Sequence, residues 1–339
     1  MTHQSSEAIA CRASSTKRSS PTRKSRTESL SLRMKYPAKQ SRRKVDGILL
    51  LDKSAGITSN TALQKARRLF NAAKAGHTGT LDPMATGLLP LCLGEATKFA
   101  GELLTADKCY AATVRLGVRT DTADAEGRVL EIRPVAVSRE QVESALARFR
   151  GAIQQVPPMH SALKRDGRPL YEYARQGIEI ERMPRAVTIH ALDMIAFSGD
   201  GMDFNVACSK GTYVRTLAQD IGDVLGCGGH LTALRRTRIG DLGLETAITL
   251  DALEALSPQD RDAMLLPADA LLLALPRLDL DEDATRRFRQ GQVVRTGQEH
   301  EPFTGRLRAY AADGGFLGLG RAETDGRVTP LRLLATDFE

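Results

Sequence analysis

The amino-acid sequence predicts an α+β fold followed by a smaller β-rich domain. Predicted strands mix with scattered helices without regular βαβ order, which favours α+β over a doubly wound sheet. A chain of 339 residues is also longer than one hydrophobic core usually serves. From about residue 276 the apolar runs are short and separated by glycines, which is typical of a small β-rich domain. We therefore expect folded domains at 45–272 and 276–339.

Residues 1–44 form a basic segment that cannot build a core. Twelve Lys or Arg against two Glu give it a charge of +10, which leaves −3 of the total +7 for the remaining chain. This composition predicts a disordered tail, which either attracts phosphates or is a dispensable extension; we favour the extension. Met34 would then be an alternative start, and a transit peptide is a third interpretation.

The composition disfavours several classes of protein. No apolar run approaches the roughly 18 residues of a membrane helix, and no secretory signal is present, so we expect a cytoplasmic protein without a membrane partner. The five cysteines have no C-x-x-C spacing, and histidines are few, so neither a disulfide framework nor a metal site is expected. Aromatic residues make up only 4%, which disfavours wide stacking platforms.

The first elements predicted are a strand, a helix and a second strand after a glycine-rich loop. Residues 47–52 are a buried apolar run, and residues 88–93 are another. Between them, Thr58 or Ser59 can cap a helix, and the loop spans 76–87. The apolar face of this helix consists of Leu63, Ala66, Leu69 and Phe70.

The following elements are predicted from alternation and helical spacing. Apolar residues alternate with polar ones from Tyr110 to Leu116, as along one face of a strand. Ser138 and Gln141 have the spacing of a capping box at the start of a helix. Strands at about 186–197 and 203–209 precede a helix whose apolar stripe is Val214, Leu217, Ile221 and Leu225.

The loop at 76–87 carries the strongest chemical signal. It reads GHTGTLDPMATG, with three glycines, one histidine, one aspartate and one proline. Pro83 biases Asp82 away from helical geometry, and the glycines let a ligand approach the backbone, so Asp82 can be aimed into a site. An ordinary Asp-Pro turn explains the pattern equally well. The residue order is not that of a phosphate-binding P-loop.

A second cluster, SKGTYVRT at 209–216, lies where a strand is predicted to pass into a helix. Backbone N–H groups at such a helix start bind anions. Tyr213 and Arg215 are two residues apart, so both can point into one site if the segment is still extended. A helix cap with a solvated arginine is the alternative, and the segment taken alone favours it.

Seven segments resemble, in order, the motifs of the TruB family, the tRNA pseudouridine-55 synthases. The strongest is GHTGTLDPMATGLLPLCLGEATK (76–98), and the similarity covers about 45–335. The others are DGILLLDKSAGITS (46–59), KCYAATVRLGVRTDTADAEG (108–127), QVPPMHSALK (155–164), LYEYARQG (170–177), CSKGTYVRTLAQDIG (208–222) and CGGHLTALRR (227–236). The resemblance implies the pseudouridine synthase fold, with a central mixed, largely antiparallel sheet flanked by helices and loops. It also implies a PUA-like RNA-binding pseudobarrel at 276–339.

The resemblance also implies an activity. Family members isomerise uridine 55 in the T loop of tRNA by breaking N1–C1′, rotating uracil and joining C5 to C1′, with no cofactor or metal. We accordingly expect a monomeric isomerase that binds the tRNA T arm and approaches the acceptor end with its PUA-like domain. Whether a carboxylate attacks C6, attacks C1′ or assists a glycal route is left open.

Three residues match catalytic positions of the family. Asp82 matches the essential aspartate, and Arg215 matches the arginine that pairs with it and keeps it ionised. Tyr213 matches the tyrosine proposed to take the C5 proton, although a neutral phenol is a poor base.

Four further residues match positions that contact the substrate. A uridine inside a folded arm must be flipped out, and Tyr110 matches the tyrosine that stacks on it. His77 matches a histidine that fills space in the T loop, Leu234 a pocket-lining leucine, and Lys53 a lysine that meets a phosphate.

Residues 151–185 match an insertion that closes over the RNA, with His160 at a position where the family usually has Tyr.

Two other functions compete with an RNA pseudouridine synthase. A non-catalytic tRNA-binding protein would not need the intact set of Asp82, Tyr213 and Arg215. A hydrolase of small glycosides would need two acids facing the bond, and the loop supplies one.

Overall fold

The computed structural model describes residues 42–295 and 304–335, so most of the predicted basic tail at 1–44 lies outside the described residues. The strands are β1 Gly47–Lys53, β2 Ala75–His77, β3 Thr86–Leu93, β4 Lys108–Leu116, β5 Val118–Thr120, β6 Val129–Ile132, β7 Gly151–Gln155, β8 Lys164–Arg165, β9 Arg168–Pro169, β10 Arg185–Ser198, β11 Gly201–Cys208, β12 Gly229–Ile239, β13 Leu242–Gly243, β14 Ile248–Thr249, β15 Arg277–Asp279, β16 Val294–Arg295, β17 Gly305–Tyr310, β18 Phe316–Ala322 and β19 Arg327–Leu333. The helices are α1 Ser59–Leu69, α2 Ala100–Thr105, α3 Arg139–Ala147, α4 Leu170–Ala174, α5 Val214–Val224, α6 Leu250–Ala255, α7 Pro258–Ala263 and α8 Glu282–Arg289, with 3-10 turns at Gly94–Phe99 and Ala268–Leu271. None of the helices in this part of the chain has the length and apolarity needed to cross a membrane.

The larger sheet is mixed and mostly antiparallel. Its strand order is β14-β1-β3-β12-β4-β11-β10-β7, with β2 beside β3 and β13 beside β12. Within this sheet, only the pairs β1–β14 and β3–β12 are parallel among the described strands. The predicted α+β class is therefore confirmed.

The central strands β1 and β3 are buried on both faces. On β1, Leu49 and Leu51 face the main core with α1 and α5, whereas Ile48 and Leu50 face a second cluster that includes Leu319 of β18. A strand covered on both faces forms a continuous apolar run, which explains why residues 47–52 do not alternate.

Two predicted helix starts are confirmed in detail. Thr58 Oγ1 accepts a hydrogen bond from the Thr61 N–H at 3.0 Å, so Thr58 rather than Ser59 caps α1. Ser138 and Gln141 form the predicted capping box of α3. The loop predicted at 76–87 is shorter, because residues 75–77 form β2 and pair with β3. A three-residue strand is too short to show a period of two in the sequence.

The smaller sheet, β15-β17-β18-β19-β16, packs with α8 around its own core and contacts the segment that ends in α2. The rings of Phe99 and Phe316 lie 5.5 Å apart, and Arg306 pairs with Glu102 at 2.6 Å. Lys98 Nζ donates to the Leu333 carbonyl at 2.8 Å. The domain boundary near residue 274 stays a prediction.

Candidate active site

A cavity of about 450 Å³ brings together five of the seven residues predicted for the site. It is lined by the loop that follows β2, by β4 and β12, by the start of α5 and by part of the 151–185 segment. The five predicted residues that line it are Asp82, Tyr110, Tyr213, Arg215 and Leu234. The lining also includes Arg236, Lys108 and His160, which sequence reasoning did not place there.

The Asp82 loop is fixed to the start of α1 and to the end of β1. Ser59 Oγ accepts from the Leu81 N–H at 2.8 Å and donates to the Leu81 carbonyl at 3.0 Å. On the other side of Asp82, the Pro83 carbonyl accepts from the Gly56 N–H at 2.9 Å and from Lys53 Nζ at 3.2 Å. These bonds hold the backbone before and after the carboxylate, so Asp82 is aimed by fixed peptide groups.

The Asp82 side chain is 36% exposed, and Arg215 lies directly behind it. Arg215 Nε is 2.9 Å from Asp82 Oδ2, and the arginine side chain itself is only 5% exposed. Its terminal nitrogens donate to the carbonyls of Thr122 at 3.0 Å and His160 at 2.7 Å. A guanidinium held this firmly restricts the rotamer of the Asp82 carboxylate.

Asp124 is a second carboxylate at Arg215 and was missed by sequence reasoning. Its Oδ2 lies 3.6 Å from Arg215 Nε, and its Oδ1 accepts from Thr122 Oγ1 at 2.5 Å and from the Glu126 N–H at 3.1 Å. Asp124 is 4% exposed and is not part of the cavity lining. The ion pair with Arg215 joins residues 91 positions apart, so no local pattern around Asp124 indicates it.

Tyr213 reaches the cavity from the residue that precedes α5. Its backbone is extended. The buried side chain of Gln155 binds both peptide groups of Tyr213. The Tyr213 N–H donates to Gln155 Oε1 at 2.7 Å, and Gln155 Nε2 donates to the Tyr213 carbonyl at 3.1 Å. Burial raises the pKa of the Tyr213 phenol, although Ser161 and Arg215 oppose this rise. Near neutral pH the phenol is therefore protonated.

Tyr110, Leu234 and Arg236 form the opposite wall on the paired strands β4 and β12. Tyr110 lies opposite Arg236 in the ladder, and burial raises the pKa of its phenol while the charge of Arg236 opposes this rise. Arg236 also donates to the carbonyls of Leu88 at 2.8 Å and Gly79 at 3.1 Å. Gly87 is required where β3 meets β12, because a Cβ there would lie 2.2 Å from the Arg236 carbonyl oxygen.

Lys53 and His77 lie outside the cavity lining. Lys53 is fully buried, and its ammonium donates to the carbonyls of Ser54, Ile57 and Pro83. Burial lowers the pKa of Lys53 to about 8, against the opposing charges of Asp82 and Glu126. The structure thus gives Lys53 three protein acceptors, and its phosphate contact stays a prediction.

His77 is half-buried on β2, and its Nδ1 has no hydrogen-bond partner among the described residues. Burial and the charge of Arg236 lower the pKa of the imidazole, so the ring is neutral near pH 7. Its contact with the T loop stays a prediction. Between residues 42 and 335, excluding 296–303, no three His, Cys, Asp or Glu side chains form a cluster suited to a metal ion.

Three family models match the chain in sequence order. They are the TruB family pseudouridylate synthase N-terminal domain at 67–214, the tRNA pseudouridylate synthase B C-terminal domain at 215–273, and the pseudouridine synthase II TruB C-terminal domain at 276–334. Together they cover well over half of the 339 residues.

Curated relatives are similar over almost their whole length. The tRNA pseudouridine synthase B of Aromatoleum aromaticum is 58% identical over 298 residues, which cover 88% of this chain and 96% of the relative. The protein of the same name from Chromobacterium violaceum is 56% identical over 302 residues, which cover 89% and 98%.

Solved structures share the fold. A Cbf5-Nop10-Gar1 complex contains a chain with a TM-score of 0.65 and 25% identity, and the match covers 85% of each chain. The archaeal box H/ACA sRNP Nop10-Cbf5 complex gives 0.63 and 23%, with 89% of each chain covered. The family models and the curated relatives show that the chain belongs to the TruB family of pseudouridylate synthases.

Proposed function

We propose that this chain isomerises uridine 55 in the T loop of tRNA to pseudouridine by base flipping and carboxylate catalysis, without a cofactor. Its family and its relatives named tRNA pseudouridine synthase B, at 56% to 58% identity, make it a tRNA pseudouridine synthase. The observation that carries the finer proposal is a single exposed carboxylate, Asp82, which faces the cavity with Arg215 2.9 Å behind it.

The chemistry requires Asp82 to be unprotonated in each of the three routes considered. Attack at C6, attack at C1′ and assistance to a glycal all use the negative oxygen. In every route the N1–C1′ bond breaks with its electron pair on the uracil, C5 then joins C1′, the C5 proton leaves and N1 gains a proton. Because the pKa of Tyr213 is raised, no phenolate is present before the reaction. Tyr213 therefore accepts the C5 proton only as it gives up its own phenolic proton.

The shape of the cavity supports base flipping. A volume of about 450 Å³, lined in part by Tyr110 and Leu234, suits one nucleoside rather than a stacked helix. Stacking of the flipped base on Tyr110 would contribute about 1–3 kcal/mol. His160 and Tyr171 line the cavity from the 151–185 segment, which supports its proposed role in gripping the RNA.

A glycoside hydrolase receives no comparable support. Such an enzyme places two carboxyl groups on either side of the scissile bond. Two further carboxylates lie near Asp82, and neither lines the cavity. Asp124 is 4% exposed and turned towards Arg215, and the charges of Asp124 and Asp82 add to the effect of burial in raising the pKa of Glu126.

The decisive experiment incubates the protein with a T-arm stem-loop that carries tritium at uridine C5. We expect tritium release equal to one uridine per RNA, mapped to position 55, and the same release after dialysis against a chelator. A stem-loop with cytidine at position 55 is the matched control and should release none. Release from a different uridine would refute the assignment of the target, and dependence on added metal would refute the cofactor-free chemistry.

A further inference from the structure

Leu104 is an exposed apolar side chain at the edge of the cavity. It is 52% exposed and is one of the residues that line the cavity. None of the other large apolar residues that are exposed in the described part of the chain lines it. A single exposed leucine is ordinary on a protein surface, but this one adjoins a cavity of the size of a nucleoside. Leu104 therefore lies where a bound RNA strand meets the protein.

The backbone at Leu104 is fixed by a buried ammonium group. Leu104 belongs to α2, a helix of 6 residues, which is too short to be stable by itself. Lys108 Nζ donates to the carbonyls of Leu103 at 3.0 Å and of Leu104 at 3.2 Å, and also to the carbonyl of Ala106. An ammonium group has three protons, and all three are used here. Lys108, which is 8% exposed on β4, thus holds the end of α2.

The two residues before Leu104 attach the same helix to the rest of the protein. The buried side chain of Leu103 packs in the second core cluster with Leu50 and Leu88. Glu102 pairs with Arg306 of β17 at 2.6 Å. Because its helix is held at each of these points, Leu104 loses little conformational freedom when a ligand packs against it, and such preorganisation favours binding.

We propose that Leu104 packs against the base of a nucleotide that adjoins the flipped uridine, and that Lys108 positions it. This proposal rests on the proposed function, since it requires the uridine in the cavity. Flipping takes one base out of the stack and uncovers a face of its neighbours. A base face offers no in-plane hydrogen bond, so an apolar side chain fits it, and leucines pack in this way against unstacked bases in nucleic-acid complexes. Because Leu104 is continuous with the cavity, the occupant is RNA.

The test compares stem-loops with and without the neighbouring bases. Dissociation constants are measured by filter binding with protein carrying Asp82→Asn, in which turnover is blocked. The three T-arm stem-loops are intact, abasic at the nucleotide before the target, or abasic at the nucleotide after it. We expect Leu104→Ala to raise Kd about fivefold on the intact RNA and to leave it unchanged on one of the abasic RNAs. Equal increases on all three RNAs, or no increase on the intact RNA, would overturn the proposal.

Two further variants control for the apolar surface. Leu104→Met keeps an apolar side chain and should bind the intact RNA as tightly as the parent protein. Leu273→Ala is the matched control, because Leu273 is 59% exposed and does not line the cavity. Its Kd should stay unchanged on all three RNAs. A loss in Leu273→Ala equal to that in Leu104→Ala would contradict a contact specific to the edge of the cavity.

Lys108→Met tests the positioning role of Lys108. Methionine removes the three donors, so we expect a loss of affinity similar to that of Leu104→Ala, and a double variant that binds no more weakly than either single variant. The slope of log Kd against log salt should equal that of the parent protein, because the ammonium donates to carbonyls. Losses that multiply, or a slope that is shallower by about one, would show a phosphate contact and overturn the positioning role.

Thermal unfolding is measured for every variant to separate loss of fold from loss of binding. Leu104→Ala changes an exposed side chain, so its unfolding temperature should match that of the parent protein. Tritium release by the wild-type protein on the intact RNA tests the proposed function separately. If no uridine is modified at position 55, the proposed function fails. If position 55 is modified and Leu104→Ala affects all three RNAs alike, only the role of Leu104 fails.

Discussion

Two walls of the cavity each contain a buried arginine, and the groups that contact the two guanidiniums differ. On the α5 side, Arg215 lies between Asp82 at 2.9 Å and Asp124 at 3.6 Å. On the β12 side, Arg236 donates to the carbonyls of Leu88 and Gly79. Arg215 is thus held against two carboxylates, one of which faces the cavity, whereas Arg236 is held by backbone carbonyls.

Of the predicted changes, the loss of Asp82 should have the largest effect on activity. We expect Asp82→Asn to reduce tritium release at least about 10⁴-fold, since the amide can neither attack nor carry negative charge. The fold should survive, because Arg215 keeps Asp124 and its two carbonyl partners. The variant should therefore bind the stem-loop normally in a filter-binding assay. Substantial turnover by Asp82→Asn would refute the role of the carboxylate.

Loss of Asp124 tests whether Arg215 needs both carboxylates. Asp124→Asn removes one charge from behind Arg215, which frees the guanidinium to shift away from the geometry that aims Asp82. A misplacement of this kind should lower kcat by about 10²-fold, with KM little changed.

Asp200→Asn provides the control for Asp124→Asn. Asp200 pairs with Arg115 at 3.1 Å on the surface, where an ion pair contributes about 0–1 kcal/mol. Steady-state kinetics of this variant should match wild type. If both variants behave alike, the Asp124–Arg215 pair contributes only to stability.

Much of the fold could be predicted because its signals are local. Thr58 and the Ser138–Gln141 pair are caps that depend on residues three apart, and both are present in the structure. Strand β2 could not be predicted, because three residues show no period and its pairing with β3 depends on the assembled sheet. The mixed, largely antiparallel sheet was implied by family resemblance and not by any spacing in the chain, and its strand order was not predicted.

Family resemblance made part of the site predictable. The Asp82 loop left an ordinary turn equally open, and the Tyr213–Arg215 cluster alone favoured a helix cap, so family resemblance assigned all three. Asp124 and Arg236 were missed because their partners are about 90 and 126 residues away in the chain and come close only in the folded protein. For Lys53, the structure adds three carbonyl acceptors, and the phosphate contact stays a prediction.

Lys53 is a third buried cation near the cavity and, unlike either arginine, it can lose its proton near neutral pH. Burial lowers its pKa to about 8, and a neutral amine has too few hydrogens to donate to all three carbonyls. The Asp82–Pro83 turn should loosen as pH rises, so kcat should fall about tenfold between pH 7 and pH 9. Lys53→Met should lack this step in the rate profile.

The contribution of Lys53 to the unfolding free energy should rise with pH, whereas kcat should fall. The folded pKa of Lys53, about 8, lies below its ordinary value of 10.5, so the unfolded chain binds more protons between these limits. The contribution of Lys53 to the unfolding free energy is therefore complete above pH 10.5 and is lost as pH falls through 8. Denaturant unfolding of wild type and Lys53→Met between pH 8 and pH 10.5 measures this contribution. If the unfolding free energies of the two proteins change in parallel with pH, the pH dependence does not come from Lys53.

The smallest expected effect concerns His77, which senses the charge of Arg236. Its pKa is lowered first by burial and second by the charge of Arg236. In Arg236→Gln the pKa of His77 should therefore rise towards its ordinary value of 6.5, which a histidine-labelled NMR titration would detect. An unchanged His77 pKa would mean that the charge of Arg236 is already compensated, which would remove the distinction between the two walls.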